Sequence, residues 1–175
     1  TPCIACEAGK YQSLEGQTSC NPIYCDENEY VSSKTCVACP PGTYNSPGND
    51  ASGDDTTCNA YICDVGHYVE DHVCTPCPSG TYRNMQDDAS GDNTTCTPCE
   101  AGKYQDSTGQ TACIECEIGK YQSLENETEC IQCAIGTYQD TTGQTTCIDC
   151  EAGKYQSLEG QSMCDPIYCD ENEYV

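Results

Sequence analysis

Residues 99–150 read CEAGKYQDSTGQTACIECEIGKYQSLENETECIQCAIGTYQDTTGQTTCIDC. Cys99, Cys116, Cys133 and Cys150 stand 17 residues apart. Each opens a unit C-x-x-G-x-Y that closes on another Cys nine residues after the Tyr. Self-similarity at a fixed short period marks a chain of stacked repeats. The short unit occurs at 6–20, 99–113, 116–130, 133–147 and 150–164. Two longer units, 39–58 and 77–96, share its opening and carry the insertions NDASGDDTT and DDASGDNTT. A second type, 25–36 and 63–74, holds ten residues between its cysteines. Residues 6–31 and 150–175 differ at three positions and lie 144 residues apart, so 165–175 reads as the start of the next long period. Thr1-Pro2-Cys3 begins inside a pattern and Val175 ends inside one, which predicts a longer parent protein.

Composition agrees with this reading. The chain has 175 residues, 20 of them Cys, with 18 Leu, Ile and Val together and no Phe or Trp. Its formal charge is −23. Few aliphatics with high net charge normally mean disorder. Cysteine at this density reverses that, because covalent staples replace a missing core. A Rossmann fold, a TIM barrel and a helix bundle are excluded, since each needs an apolar interior this chain cannot fill. The expected fold is a set of small disulfide-rich repeats: an elongated rod of tandem modules with short β-hairpins, almost no helix and no continuous hydrophobic core. An acidic surface repels phosphate backbones and anionic leaflets, so no nucleic-acid partner is expected. No stretch approaches 18 apolar residues, so this segment inserts in no membrane. The cysteines place the chain in an oxidising compartment, extracellular or at the cell surface.

Six cysteines alone allow 15 connectivities, and the repeat narrows the choice. If each unit closes on itself, the pairs are Cys6–Cys20, Cys25–Cys36, Cys39–Cys58, Cys63–Cys74, Cys77–Cys96, Cys99–Cys113, Cys116–Cys130, Cys133–Cys147 and Cys150–Cys164. Cys3 and Cys169 remain. A shift of 144 residues maps them onto Cys147 and Cys25, whose partners then fall outside the chain.

Glycine and tyrosine keep the same register. Gly9, Gly42, Gly80, Gly102, Gly119, Gly136 and Gly153 follow the first Cys by three. A Gly recurring at one point suggests positive φ or close backbone approach. Asn126 replaces a second recurring Gly, which points to a left-handed turn there. Tyr11, Tyr44, Tyr82, Tyr104, Tyr121, Tyr138 and Tyr155 follow the first Gly by two. With no other large aromatics, each ring is expected to cover its disulfide or pack on the next module, giving tiny cores of one ring and one or two S–S bonds. A sugar-stacking ladder of tyrosines is the alternative role. A bridge closing about 15 residues contributes about 3 kcal/mol, against about 1–2 kcal/mol per residue of backbone ordering. Bridges alone therefore do not hold the chain, and stability is expected to be close to nearest-neighbour additive.

Candidate chemistry is sparse. C-x-x-C occurs seven times, but always at the join of two units, so structural disulfides are expected in preference to zinc or redox chemistry. His67 and His72 are the only histidines, and the companion unit 25–36 has none, so no repeated role is expected. No Ser–His–Asp or Cys–His set is arguable, and the chain is not expected to be an enzyme. No cofactor is expected. Calcium is the one ion left open: Asp50, Asp54, Asp55, Asp87, Asp88 and Asp92 cluster in the two long loops without the EF-hand ligand order. Asn93-Thr94-Thr95 and Asn126-Glu127-Thr128 are N-glycosylation sequons in expected exposed turns.

The units CEAGKYQDSTGQTAC, CEIGKYQSLENETEC and CAIGTYQDTTGQTTC resemble the cysteine-rich repeats of ephrin-receptor ectodomains. CPPGTY (39–44) and CPSGTY (77–82) are similar to the opening of tumour-necrosis-factor-receptor modules. The resemblance covers essentially the whole chain. It implies an elongated, disulfide-stapled extracellular array with bridges inside each unit, and does not by itself imply receptor function. The arrays with DDASGD-type loops also resemble long protist surface proteins, among them proteins of flagellar hairs (mastigonemes) and ciliate surface antigens. Near-identity of 6–31 and 150–175 suggests a uniform, periodic object. The expectation is a structural repeat of a secreted, glycosylated fibril whose partners are covalent glycans and copies of itself or further repeats. The alternative is the ectodomain of a receptor, adhesin or surface-coat antigen.

Overall fold

The computed structural model describes residues 4–168; Cys3, Cys169 and 170–175 lie outside the described residues. The chain divides into two compact units. Among the described residues one comprises 4–63, Val69–Cys74 and Asp88–Asn93; the other comprises Asp64–Tyr68, Thr75–Asp87 and 94–168. Regular structure among the described residues consists of ten two-stranded sheets, with no helix.

In the second unit one element repeats. The two residues ending in the motif Tyr pair antiparallel with the two that follow the closing Cys. Lys103 faces Glu115 and Tyr104 faces Ile114. Lys120 faces Gln132 and Tyr121 faces Ile131. Thr137 faces Asp149 and Tyr138 faces Ile148. Such a short ribbon is not stable alone. A disulfide holds its ends together, as Cys116–Cys130 does for the unit 116–130.

Successive modules are joined by the same four backbone hydrogen bonds. Between 99–113 and 116–130, Gly102 N donates to Gln122 O (2.7 Å), Gln105 N to Glu127 O (3.1 Å), Asn126 N to Cys99 O (2.8 Å) and Cys116 N to Gly102 O (2.9 Å). Seventeen residues on, Gly119, Gln122, Gly143 and Cys133 donate to Gln139, Gln144, Cys116 and Gly119. Gly136, Gln139, Gly160 and Cys150 repeat the pattern once more, and Gly80, Arg83, Gly109 and Cys99 begin it. Backbone groups with no partner inside their own small module are thus satisfied by the next one.

Contact also reaches the module after next. A Cβ built on Gly102 would lie 2.2 Å from Gly143 O, which belongs to the unit two places on. Gly119 meets Gly160 O at 2.0 Å, and Gly80 meets Asn126 O at 2.4 Å. Nearest-neighbour additivity is therefore too simple for this array. Each module is thin enough for the turn of module i+2 to touch the opening turn of module i.

The interior of the second unit is sulfur and amide. Cys77, Cys99, Cys116 and Cys133 are fully buried, and the glutamines that follow the motif tyrosines, Gln105, Gln122, Gln139 and Gln156, are buried too. Each Gln spans its own loop. Gln122 Nε2 donates to Glu129 O (2.8 Å), and its Oε1 accepts from Leu124 N (3.1 Å). Gln105, Gln139 and Gln156 make the same pair of bonds. In the long unit 77–96 Arg83 takes this place, donating to Thr95 O (2.5 Å) while pairing with Asp87. A tyrosine-centred core is not what forms: Tyr104, Tyr121 and Tyr138 are only half-buried, and Tyr11, Tyr44 and Tyr155 are exposed.

The first unit has two small apolar clusters. Cys25, Val31 and Ala51 form one; Cys63, Val69 and Ala89 form the other. In the first, the hairpin Glu29–Ser32 with Thr35–Ala38 turns at Ser33 and Lys34, both at positive φ (50° and 64°), as a two-residue turn matched to strand twist requires. The long loop of 39–58 returns to cover this hairpin. Thr56 N donates to Val31 O and Val31 N to Thr56 Oγ1, which places Ala51 on the disulfide.

Candidate functional site

Eighteen of the cysteines are joined in nine bonds: 6–20, 25–36, 39–58, 63–74, 77–96, 99–113, 116–130, 133–147 and 150–164. Every C-x-x-C within the described residues therefore joins two different disulfides. Cys25, Glu29 and Cys36 bring ligand atoms within 4.8 Å of one another. Both sulfurs there are spent in a disulfide, so no thiolate is offered.

The acidic loops use their carboxylates internally. Asp50 Oδ1 accepts from Ser52 Oγ (2.7 Å) and Ser52 N (2.8 Å). Asp88 does the same with Ser90. The serine hydroxyl first, and then its amide, hold both aspartates below the usual carboxylate range. Asp55 Oδ1 caps Ser33 N, and Asp87 is paired with Arg83, whose guanidinium is pushed further up by that hydrogen bond. These loops are folded around their own backbone.

His72 is not without a counterpart. Lys34 occupies its place in the companion hairpin, and its Nζ donates to Ser52 O (3.0 Å) and to Gly53 O. His72 Nδ1 lies 2.9 Å from Ala89 O, in the equivalent turn. Both residues pin the acidic loop by its carbonyls, a role that residue identity alone had concealed.

Both sequon asparagines are exposed. Asn93 Oδ1 accepts from Asp71 N (2.9 Å), leaving Nδ2 for attachment. Asn126 sits at φ 64°, on the turn that meets Gly80.

Two surfaces gather the tyrosines. In the second unit Tyr82, Tyr104 and Tyr138 each line a shallow groove against the next module, beside Lys103, Lys120 and Lys154 and next to Cys113, Cys130 and Cys164. Each of these lysines is ion-paired to the Glu three residues before it, at 4.0, 3.4 and 3.2 Å. Exposed pairs of this kind contribute little to stability. Ile114, Ile131 and Ile148 stand opposite Tyr104, Tyr121 and Tyr138 and remain 43–46 % exposed. Directly opposite residues share a face, so three consecutive modules carry an open Tyr–Ile stripe. In four other modules the facing residue is Asn21, Asn59, Thr97 or Asp165.

The first unit holds an open cleft of about 520 Å³ lined by Tyr44, Tyr61, Glu27, Asn28, Asn45 and His72. The tyrosine rings meet edge to face at 6.3 Å, with 46 % and 58 % of each residue exposed. The buried glutamines and this cleft both escaped the sequence reading. The recurring Tyr-Gln pair could have revealed the first.

This geometry of short ribbons, intra-unit bridges and repeated Gly turns can be compared with known families. Four overlapping segments, 88–123, 107–143, 119–151 and 136–174, match the family described as tyrosine-protein kinase ephrin type A/B receptor-like. Over residues 88–174 the chain belongs to this family. No curated protein matches the chain. Ephrin-receptor-like repeats with nine disulfides are those of an extracellular or secreted domain, structural or receptor-like in kind, and the family is typically non-enzymatic. No helix among the described residues is long and apolar enough to cross a membrane.

Proposed function

We propose that these ephrin-receptor-like repeats are a structural segment of a secreted, glycosylated extracellular fibril or surface appendage of the mastigoneme kind, and that the segment assembles with copies of itself. The observation that carries this reading is the repetition of one four-bond junction along 77–164. A junction reproduced without variation transmits tension evenly, and an array with bridges inside every module yields little under load. The open Tyr–Ile stripe supplies the lateral face for a second copy, because apolar area left in water favours association. The charge of −23 limits adhesion elsewhere on the surface.

Sedimentation and negative-stain microscopy of the secreted chain test this. Concentration-dependent filaments or lateral pairs, lost in the triple variant Ile114→Asp, Ile131→Asp, Ile148→Asp, support it. A strictly monomeric chain at all concentrations overturns it. The second reading, the ectodomain of a receptor, adhesin or coat antigen, draws on the family match. A membrane anchor encoded in the same gene would favour it.

A further inference from the structure

The first unit contains one arrangement twice. In the first copy Ile23 N donates to Gly9 O, Ala51 N donates to Ile23 O, and a Cβ on Gly9 would meet Ala51 O. In the second, Tyr61 N donates to Gly42 O, Ala89 N donates to Tyr61 O, and a Cβ on Gly42 would meet Ala89 O. The tip of each ten-residue hairpin is then held by the long loop, Ser33 N by Asp55 Oδ1 and Asp71 N by Asn93 Oδ1.

The backbone bonds are the same, and among the many side chains that differ between the copies three bear on a ligand. Ile23 becomes Tyr61, Lys34 becomes His72, and Asp55 becomes Asn93 within Asn93-Thr94-Thr95. The copy that carries the sequon therefore also has its spacer tyrosine one place earlier, at Tyr61 where the first copy has Ile23 and then Tyr24, and gains an imidazole. Tyr61 completes the corner with Tyr44, and His72 lines the same cleft. Asn93 is bonded to Asp71, the residue next to His72. Sugar rings offer apolar C–H faces to aromatic rings and hydroxyls to planar polar groups. Asn28, Asn45, Glu27 and His72 are such groups, set around two tyrosines.

We propose that the Tyr44–Tyr61 cleft is the docking site of an N-linked glycan carried by Asn93. Attachment joins Asn93 Nδ2 to the anomeric carbon of an activated sugar; the amide proton and the diphosphate carrier leave, and Oδ1 keeps its bond to Asp71 N. The innermost sugars then lie along the hairpin tip and stack on the two rings. The glycan fastens the hairpin 63–74 to the unit 39–58. This does not depend on filament formation.

The test uses the full chain secreted from a glycosylating eukaryotic host, in an Asn126→Gln background so that Asn93 is the one sequon left. Mass spectrometry of the glycopeptide reads occupancy, and nuclear Overhauser contacts read the sugar against the Tyr44 and Tyr61 rings. Enzymatic removal of the glycan converts Asn93 to Asp, the residue the first copy carries at 55. It is expected to lower the melting temperature by roughly 3 °C in this background and by nothing measurable in Tyr61→Ile, which restores the first copy's side chain. An unoccupied Asn93 overturns the proposal. So does an equal change in both proteins with no sugar-to-tyrosine contact.

Discussion

The contact between every second module can be isolated with one pair of substitutions. Gly102 and Gly136 occupy the same place in their modules at nearly the same φ, 86° and 82°. Alanine at either position bears the left-handed backbone cost of about 1–2 kcal/mol. Among the described residues nothing lies within 4 Å of the new Cβ at Gly136, whereas at Gly102 the Cβ meets Gly143 O at 2.2 Å and Gly143 C at 2.8 Å. Those are backbone atoms, so the module 133–147 must shift. Overpacking of this kind costs about 1–3 kcal/mol more. Gly136→Ala is expected to lose about 1–2 kcal/mol and Gly102→Ala about 2–5 kcal/mol in guanidinium unfolding with disulfides intact. Native-state hydrogen exchange locates the loss. The amides of Gly143 and Gln122, bonded to Cys116 O and Gln144 O, should exchange about tenfold faster for each ~1.4 kcal/mol in Gly102→Ala and stay unchanged in Gly136→Ala. Equal losses in the two variants, or faster exchange confined to 99–113, would refute the two-module reach.

Three further outcomes are expected. Gln122→Ala leaves Glu129 O and Leu124 N without their buried partner and should cost about 2–4 kcal/mol by the same denaturant measurement. Replacing Cys116 and Cys130 with serine should cost about 3 kcal/mol, with limited proteolysis opening the chain first inside 116–130. The third concerns pH. Asp50 and Asp88 titrate below their ordinary value in the folded state, so their contribution is present above the unfolded pKa near ~4 and is lost as pH falls through the lower folded value. Melting temperature should therefore drop below about pH 4, and Asp50→Asn, Asp88→Asn should flatten that drop; an unchanged slope counts against the Asx-turn account.

How far residues announce their role depends on what they touch. The C-x-x-G-x-Y opening could be read because the Cys, Gly and Tyr each serve a module too small to hide them. Tyr82, Tyr104 and Tyr138 stand at the module edge, against the next module. A disulfide and one glutamine amide already fill a 17-residue module, so the ring is displaced to the edge. Gln122 and its equivalents look like surface residues on composition, since polar side chains are mostly exposed. Only the loop they span explains their burial.

What the linear sequence determined here is periodic and local: the size of each unit, its stapled ends and the points where its backbone must turn. Covalent closure and left-handed turns act over a few residues, and a few residues are enough to specify them. The tertiary structure alone decided what lies between modules. Gly143 O, which meets Gly102, is 41 residues distant, and Tyr44, Tyr61 and His72 line one cleft from three separate stretches of chain. Nothing in a 17-residue period encodes how far one module rises over the next, and that rise, set by backbone hydrogen bonding across modules, selects which turn meets which.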